Sequence, residues 1–182
     1  MNKELLITVK EEKQENINAY AISSLCEDGK HVIIWDFDCK PSSSNLAKVE
    51  DVLIDISFYN LLDKIIILQS RNGYNAICLN KLPFEKVFNI KQKTKYDDKK
   101  HNEFGYERQN WRLRIGKDKR VVSRIDNNYK KFPCSNSHRL FLNNIYNANI
   151  YFDYTYDLSK ICLVAGYWCW KEECNYGIKK TN

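Results

Sequence analysis

Two β-branched apolar runs joined by an asparagine–glycine turn constrain this chain more than any other feature. Lys64 to Gln69 reads KIIILQ, Ser70-Arg71-Asn72-Gly73 follows, and Tyr74 to Leu79 reads YNAICL. Asn-Gly flanked by such runs is the strongest short-range hairpin signal, so the two runs are expected as antiparallel neighbours. His31 to Phe37 (HVIIWDF) is a third run of the same kind and ends in acids. Between the first and second strands, Pro41 to Asn45 is a loop suited to capping a helix. Asn45 to Leu62 then places Leu46, Val49, Leu53, Ile56 and Leu61 close to helical spacing. Pro83 to Phe88 suits a helix start with proline in the first turn. The first half therefore reads strand, helix, strand, turn, strand, helix.

Ahead of His31, in the first half, Ala19 to Ser24 is a short helix end or strand. The second half is less regular. Lys91 to Asn102 is dense in Lys and Asp and reads as a solvated loop or flexible flap. Trp111 to Ile115 (WRLRI) and Arg120 to Ile125 (RVVSRI) alternate apolar and basic residues, as strands with one wet, positive face do. Gly116 to Lys119 is expected to be the turn joining them. Ile145 to Tyr156 and Ile161 to Trp170 are aromatic and read as strands or strand–helix mixtures. No repeat and no Pro- or Gly-rich linker divides the chain, so residues 1–182 are expected to form one domain. Its motif-bearing core spans about 30–130, and an aromatic C-terminal part spans about 131–182.

At 182 residues, 43% of them hydrophobic and 29% charged, there is enough apolar material for a core, which excludes a wholly disordered chain. A net charge of +6 permits a nucleic-acid partner without demanding one. No stretch approaches the roughly 20 apolar residues of a membrane span, and no signal-peptide core opens the chain. A cytoplasmic location without membrane partners is the expectation, in the host cytoplasm if the source is viral. The seven cysteines are odd in number. Cys39, Cys78 and Cys162 sit in or beside apolar runs and read as small hydrophobes in a reducing compartment. Richness in Asn, Lys, Ile and Tyr suggests a low-GC genome such as a virus, a plasmid or an AT-rich microbe.

The first chemical candidate is Trp35-Asp36-Phe37-Asp38. Alternation along a strand sends Asp36 and Asp38 to one side and Trp35 and Phe37 to the other. Two carboxylates that close repel unless a cation lies between them, and Mg²⁺ or Mn²⁺ with oxygen ligands resolves that repulsion. The plainer alternative is a strand-end pair facing solvent. A second candidate is Ser70 to Asn75, where Gly73 admits a close backbone approach and Arg71 is suited to phosphate; it too has a plain alternative as a hairpin turn.

A basic block follows: Arg108, Arg112, Arg114, Lys117, Lys119, Arg120 and Arg124, interleaved with Tyr106 and Trp111. These are seven basic residues in 17 positions with Asp118 as the interspersed acid. On adjacent strands they would form a strip for a phosphate backbone or a triphosphate, with aromatics for stacking. The alternative is an amphipathic hairpin with a solvated face. Cys134-x₃-His138 and Cys169-x₄-Cys174, with His101 and Cys162 nearby in type, lack paired Cys-x₂-Cys knuckles, and zinc is not expected. Ser135 to His138 reads instead as a helix cap followed by Leu140, Phe141 and Ile145. The tail aromatics Tyr151, Phe152, Tyr154, Tyr156, Tyr167, Trp168 and Trp170 suit core or dimer packing better than a stacking platform.

The order of these elements resembles the catalytic domain of archaeo-eukaryotic primases, including the small primase-polymerases of plasmids and viruses. Ile33-Ile34-Trp35-Asp36-Phe37-Asp38 is similar to that family's apolar strand ending in Asp-x-Asp. Ser70-Arg71-Asn72-Gly73-Tyr74-Asn75 is similar in shape to its Ser-x-His or Gly-x-Gly-x-His turn, with Asn75 where the family has histidine. Ile125-Asp126 is similar to its later single acid, with Asp118 as a competitor. The resemblance covers residues 30 to 130 and implies an α+β fold with an RRM-like antiparallel sheet backed by helices. It implies Asp36, Asp38 and Asp126 as catalytic metal ligands for Mg²⁺ or Mn²⁺. Ser70, Arg71, Asn75, Arg112 and Arg114 would then lie on the nucleotide side, and Arg108, Lys117, Lys119, Arg120 and Arg124 on the nucleic acid. An asparagine donates a hydrogen bond but carries no positive charge, so the departure at Asn75 bears directly on phosphate contact.

The function implied is a primase-like, divalent-metal-dependent nucleotidyltransferase in replication of a mobile element or virus. Its partners would be nucleoside triphosphates, a single-stranded DNA or RNA template and, as a separate chain, a helicase. The alternatives are a catalytically inactive primase-like nucleic-acid-binding or replication accessory protein, a metal-dependent nuclease using the same acids, and a structural role in a viral particle.

Overall fold

The computed structural model describes residues 21–116 and 118–150 in full, together with the backbone of four further strand segments. Fourteen elements follow one another in these regions. Three short strands come first: β1 (Glu12–Gln14), β2 (Ile17–Ala19) and β3 (Ala21–Ser23). The centre of the fold is β4 (His31–Phe37), α1 (Ser43–Asn60), β5 (Lys64–Gln69) and β6 (Tyr74–Leu82). Next come α2 (Phe84–Lys93), α3 (Lys99–Glu107), β7 (Arg112–Arg114) and β8 (Arg120–Asp126). The last are α4 (Asn136–Tyr146), β9 (Ile161–Val164) and β10 (Tyr167–Trp170).

The main sheet has the order β4-β6-β5-β8, and each neighbouring pair is antiparallel. β4 and β5 are therefore parallel to each other, joined by α1, with β6 inserted between them. That is a split βαβ unit. The hairpin expected from Asn72-Gly73 is the β5–β6 pair, closed by Ser70 N–H on Gly73 C=O at 2.9 Å. The fold is thus α+β, an antiparallel sheet backed by helices.

The sheet's pairing assigns its faces. Trp35, Ala76, Ile67 and Ser123 form one cross-strand row. Ser123 Oγ donates to Glu50 of α1, and Trp35 Nε1 donates to Thr94 at the end of α2 at 3.1 Å. Helices α1 and α2 therefore back this face, where Ile33, Trp35, Phe37, Val49, Leu53 and Ile67 are at most 1% exposed. The next row, Asp36, Asn75, Leu68 and Val121, faces the other way.

α1 starts where Ser42 accepts the Asn45 N–H at 3.1 Å, and Tyr74 locks that cap: its hydroxyl accepts from Ser42 N–H and donates to Ser42 C=O, both at 2.9 Å. α4 starts on Ser135, as the sequence suggests. His138 lies in its first turn with no exposure, its ring nitrogens against Ser135 Oγ at 2.6 Å and Ser23 C=O at 2.7 Å. Both nitrogens are thereby spent on structure.

Two expectations are corrected. Lys91 to Asn102 is not a solvated loop or flap: it holds the end of α2 and the start of α3, and Lys91, Asp97 and Asn102 are buried. The charges of Lys91 and Asp97 satisfy one another and an open strand edge, which allows these two to leave water, while Lys93, Lys95, Lys99 and Lys100 stay exposed. Likewise, β7 and β8 are not a hairpin. β7 pairs with β3, as Leu113 opposite Ile22, while β8 pairs with β5. The Gly116–Lys119 turn connects two different sheets.

Among the described residues, Cys26 and Cys78 are buried free thiols, and Cys39 and Cys134 are half-buried. Burial pushes the thiols of Cys26 and Cys134 up to about 12, as expected of inert small hydrophobes. The side chains of Cys162, Cys169 and Cys174 and the tail aromatics lie outside the described residues. No helix among the described residues is long and apolar enough to cross a membrane.

Candidate functional site

β4 is an edge strand of the main sheet, so alternate backbone groups on its outer side need partners. Val32 N–H finds Ser24 C=O at 2.8 Å, and Ile34 C=O accepts from the Lys91 ammonium. Asp36 N–H donates to Asp97 Oδ1 at 3.0 Å, and Asp36 C=O accepts from Asp98 N–H at 2.7 Å. Asp97 Oδ2 accepts from Lys91 Nζ at 2.9 Å, with neither side chain exposed. The α2–α3 connection thus serves as a substitute strand and holds both the N–H and the C=O of Asp36 from the outer edge.

The Asp36 side chain is held from the neighbouring strand. Asn75 stands directly opposite and donates Nδ2–H to Asp36 Oδ1 at 2.8 Å, while Asn75 Oδ1 accepts from Lys119 Nζ at 2.7 Å. An acid, an amide and an ammonium form one chain across the mouth of the sheet. Burial raises the Asp36 carboxyl above the usual range; Lys119 opposes that, and Asp98 and Asp97 add to it. Burial brings Lys119 down to about 8 against the pull of Asp36 and Asp118, with Arg114 lowering it further.

Beyond Phe37 the chain turns on Asp38, where Cys39 N–H bonds back to Phe37 C=O at 2.9 Å. Gly73 lies beneath this turn. A Cβ there would stand 2.5 Å from Phe37 O, so this close contact is what demands the glycine of the Asn-Gly pair. Ser70 Oγ accepts the Gly73 N–H at 3.2 Å and keeps the turn compact.

These groups open on a cleft of about 750 Å³. Asp36, Asp38, Ser70, Gly73 and Asn75 line it from the main sheet; Asp98, Lys100, His101, Phe104 and Arg108 line it from α3. Arg112, Arg114, Asp118 and Lys119 line it from β7 and the following turn. The structure therefore brings together Asp36, Asp38, Ser70, Asn75, Arg108, Arg112, Arg114 and Lys119, which the sequence places as far as 83 positions apart (36 to 119).

Other expected residues fall elsewhere. Arg71 is exposed and does not line the cleft; its backbone N–H reaches Asp118 Oδ2 at 3.3 Å. Arg120 and Arg124 lie on β8, the far edge of the sheet, and do not line the cleft either. The strip imagined from Arg112 and Arg114 beside Arg120 and Arg124 is not formed, because β7 and β8 are not paired. Lys117 lies outside the described residues.

Asp126 needs a sharper correction. It pairs with Lys64 at the opposite end of β5 and forms an exposed salt bridge with it at 2.8 Å. Three strand spacings of about 4.8 Å and roughly 13 Å along the strand direction separate it from Asp36. It cannot share a metal ion with Asp36 and Asp38. Asp118, its competitor, does line the cleft, but its carboxylate serves the turn.

Sequence reasoning missed Asp97, Asp98 and Phe104, and named His101 only as an extra in a zinc set. Asp98 carried a usable signal: an aspartate before Lys99-Lys100, and it caps α3 by accepting the Lys100 N–H at 2.8 Å. His101 sits beside it, with Nε2 3.2 Å from Arg112 C=O and burial bringing the ring down to about 4.

The residues present do not make the three-acid metal set that the primase resemblance implies. One oxygen of Asp36 is occupied by Asn75, the ammonium of Lys119 already supplies a neighbouring cation, and Asp126 is remote. Among the described residues, no three His, Cys, Asp or Glu side chains are grouped to hold a metal. Compared with family models, with curated proteins and with solved structures, the chain gives no match in any of the three.

Proposed function

We propose that this cleft binds the phosphates of a nucleotide or nucleic-acid strand, and that the protein is a primase-like nucleic-acid-binding protein acting in replication without the family's metal chemistry. The observation that carries this is the Lys119–Asn75–Asp36 chain, with Arg112 and Arg114 lining the same cleft. Asn75 stands where the resembled family has its histidine, and here it spends its amide on orienting a lysine. The positive charge lost at that position is returned by Lys119. Arginine and lysine groups converging on a concave, partly desolvated site are what phosphate recognition requires. The strand order β4-β6-β5 with α1 crossing between its outer members supplies the split βαβ unit that an RRM-like sheet contains, although β8 joins the β5 edge instead of the β4 edge.

The test is to incubate the protein with labelled single-stranded DNA and nucleotides in Mg²⁺ or Mn²⁺, beside an Asp36→Ala/Asp38→Ala control. Binding without product, weakened by Lys119→Gln and by raised salt, is the expected result. Extension that disappears in the double variant would replace this reading with a nucleotidyltransferase. Shortening of the DNA that disappears there would replace it with a nuclease.

A further inference from the structure

α3 is amphipathic in the wrong sense for a helix that only packs. Its buried positions are Asn102, at 6% exposure, and Gly105, whereas Phe104 is 53% exposed. The cause is the contact beneath it. Trp111 is fully buried with its indole against Gly105, where a Cβ would come within 2.1 Å of the ring. Gly105 must therefore face inward. Successive helical residues are about 100° apart, so Phe104 is turned out to the cleft rim. The other aromatic of this helix, Tyr106, packs on Phe88 with ring centroids 4.4 Å apart. Phe104 has no such aromatic partner among the described residues. Its ring lies beneath the Arg108 guanidinium, 5.6 Å from centroid to Cζ.

The helix bearing this ring is fastened to the acid-bearing strand by Asp98 N–H on Asp36 C=O. Phe104 lies six residues, or roughly 9 Å, along α3 from that attachment. A rigid element thus sets an exposed aromatic ring at the rim of a cleft that Arg112, Arg114 and Lys119 also line.

We infer that Phe104, with Arg108 over it, is a stacking site for an unpaired nucleobase whose flanking phosphates lie against Arg112, Arg114 and Lys119. The inference rests on the phosphate reading above and narrows its ligand to single-stranded nucleic acid. A phosphate cleft alone accepts any polyanion. An aromatic face at its rim adds affinity only for a ligand with a free base, and a duplex keeps its bases stacked on one another.

The experiment measures fluorescence anisotropy of a labelled oligothymidylate, an abasic strand of equal length and a duplex, with the intact protein, Phe104→Ala, Phe104→Trp and Lys119→Gln. The intact protein is expected to prefer oligothymidylate to both other probes. Phe104→Ala should weaken oligothymidylate binding by roughly 5- to 100-fold and leave the abasic strand unchanged, with Phe104→Trp restoring affinity. Lys119→Gln should weaken both single strands alike. Binding of oligothymidylate that Phe104→Ala leaves intact would overturn the stacking site and spare the phosphate reading. Failure of the intact protein to bind any of the three probes would overturn both. Phe104 is exposed, so its replacement removes no core contact, and thermal melting of each variant checks that the fold survives.

Discussion

Asp97 and Lys91 form an ion pair at 2.9 Å with no exposure of either side chain, and each also holds a backbone group of β4. Burial pushes the Lys91 ammonium down and the Asp97 carboxyl up, and each partner opposes the shift of the other. A pair this deep repays its desolvation only through good geometry and further hydrogen bonds, which the Asp36 N–H and the Ile34 C=O supply here. Lys91→Met leaves a buried carboxylate without its cation and a strand carbonyl without a donor. Urea unfolding is expected to show a loss of about 3–5 kcal/mol. An unchanged midpoint would mean that β4 is not held by this pair.

The Asp38 turn and the Asn-Gly hairpin meet at one glycine, and this contact is testable with a single methyl group. Gly73→Ala sets its Cβ 2.5 Å from a backbone oxygen of Phe37, which has no rotamer by which to yield. Displacing either turn should cost roughly 1–3 kcal/mol, the usual penalty of overpacking. The same shift moves Asp38 and Ser70 apart, so oligonucleotide affinity should fall with stability. Retained affinity in a fully folded variant would show that this turn does not shape the cleft.

The three strands of the sheet's centre were legible because their signals are local: apolar β-branched runs, an Asn-Gly turn and a capping serine. His31–Phe37 and Lys64–Gln69 agree with the structure to the residue, and Tyr74–Leu82 runs three residues beyond expectation. What could not be read was partnership over distance. The alternation in Trp111 to Ile115 announces a strand but not that β3, some 90 residues earlier, is its neighbour. Within Lys91 to Asn102, Lys91 and Asp97 look as solvated as the other charges until Asp97 is seen to hold Lys91 against the edge of β4. Of the residues that line the cleft, the motif singles out Asp36 and Asp38, and the basic block includes Lys119. The role of Lys119 depends on Asn75, which only the fold brings within 2.7 Å. Asp126 shows the opposite failure: an acid after an apolar strand, at the wrong end of the sheet.

His138 makes the fold sensitive to acid. Its ring is fully buried between Ser135 and Ser23, and burial brings it down to about 4. The unfolded chain takes up the proton near 6.5, so it binds more protons than the folded chain between about 6.5 and 4. The sign follows: stability is fully present above that range and falls as pH falls through it. His138 alone should cost about 3 kcal/mol by pH 4. His101, also brought down to about 4, acts in the same direction. Chemical denaturation at a series of pH values checks this, and a midpoint flat from pH 7 to 4 would remove both rings from the account.

Lys119 sets the alkaline limit of binding. Its ammonium titrates at about 8 because it is buried, and below that value it is the charge that Asn75 directs into the cleft. As pH rises through 8 the charge is lost while Arg112 and Arg114 keep theirs, since a guanidinium does not deprotonate in this range. Oligonucleotide affinity should therefore decline between about pH 7 and 9 toward a plateau set by the arginines, rather than vanish. In Lys119→Gln the plateau value should appear at every pH, because the group that titrates is gone. Lys119→Arg should flatten the profile from above, with affinity retained at the alkaline end. If the intact protein and Lys119→Gln decline in parallel, the titrating group lies elsewhere and Lys119 is not the cation that meets the phosphates.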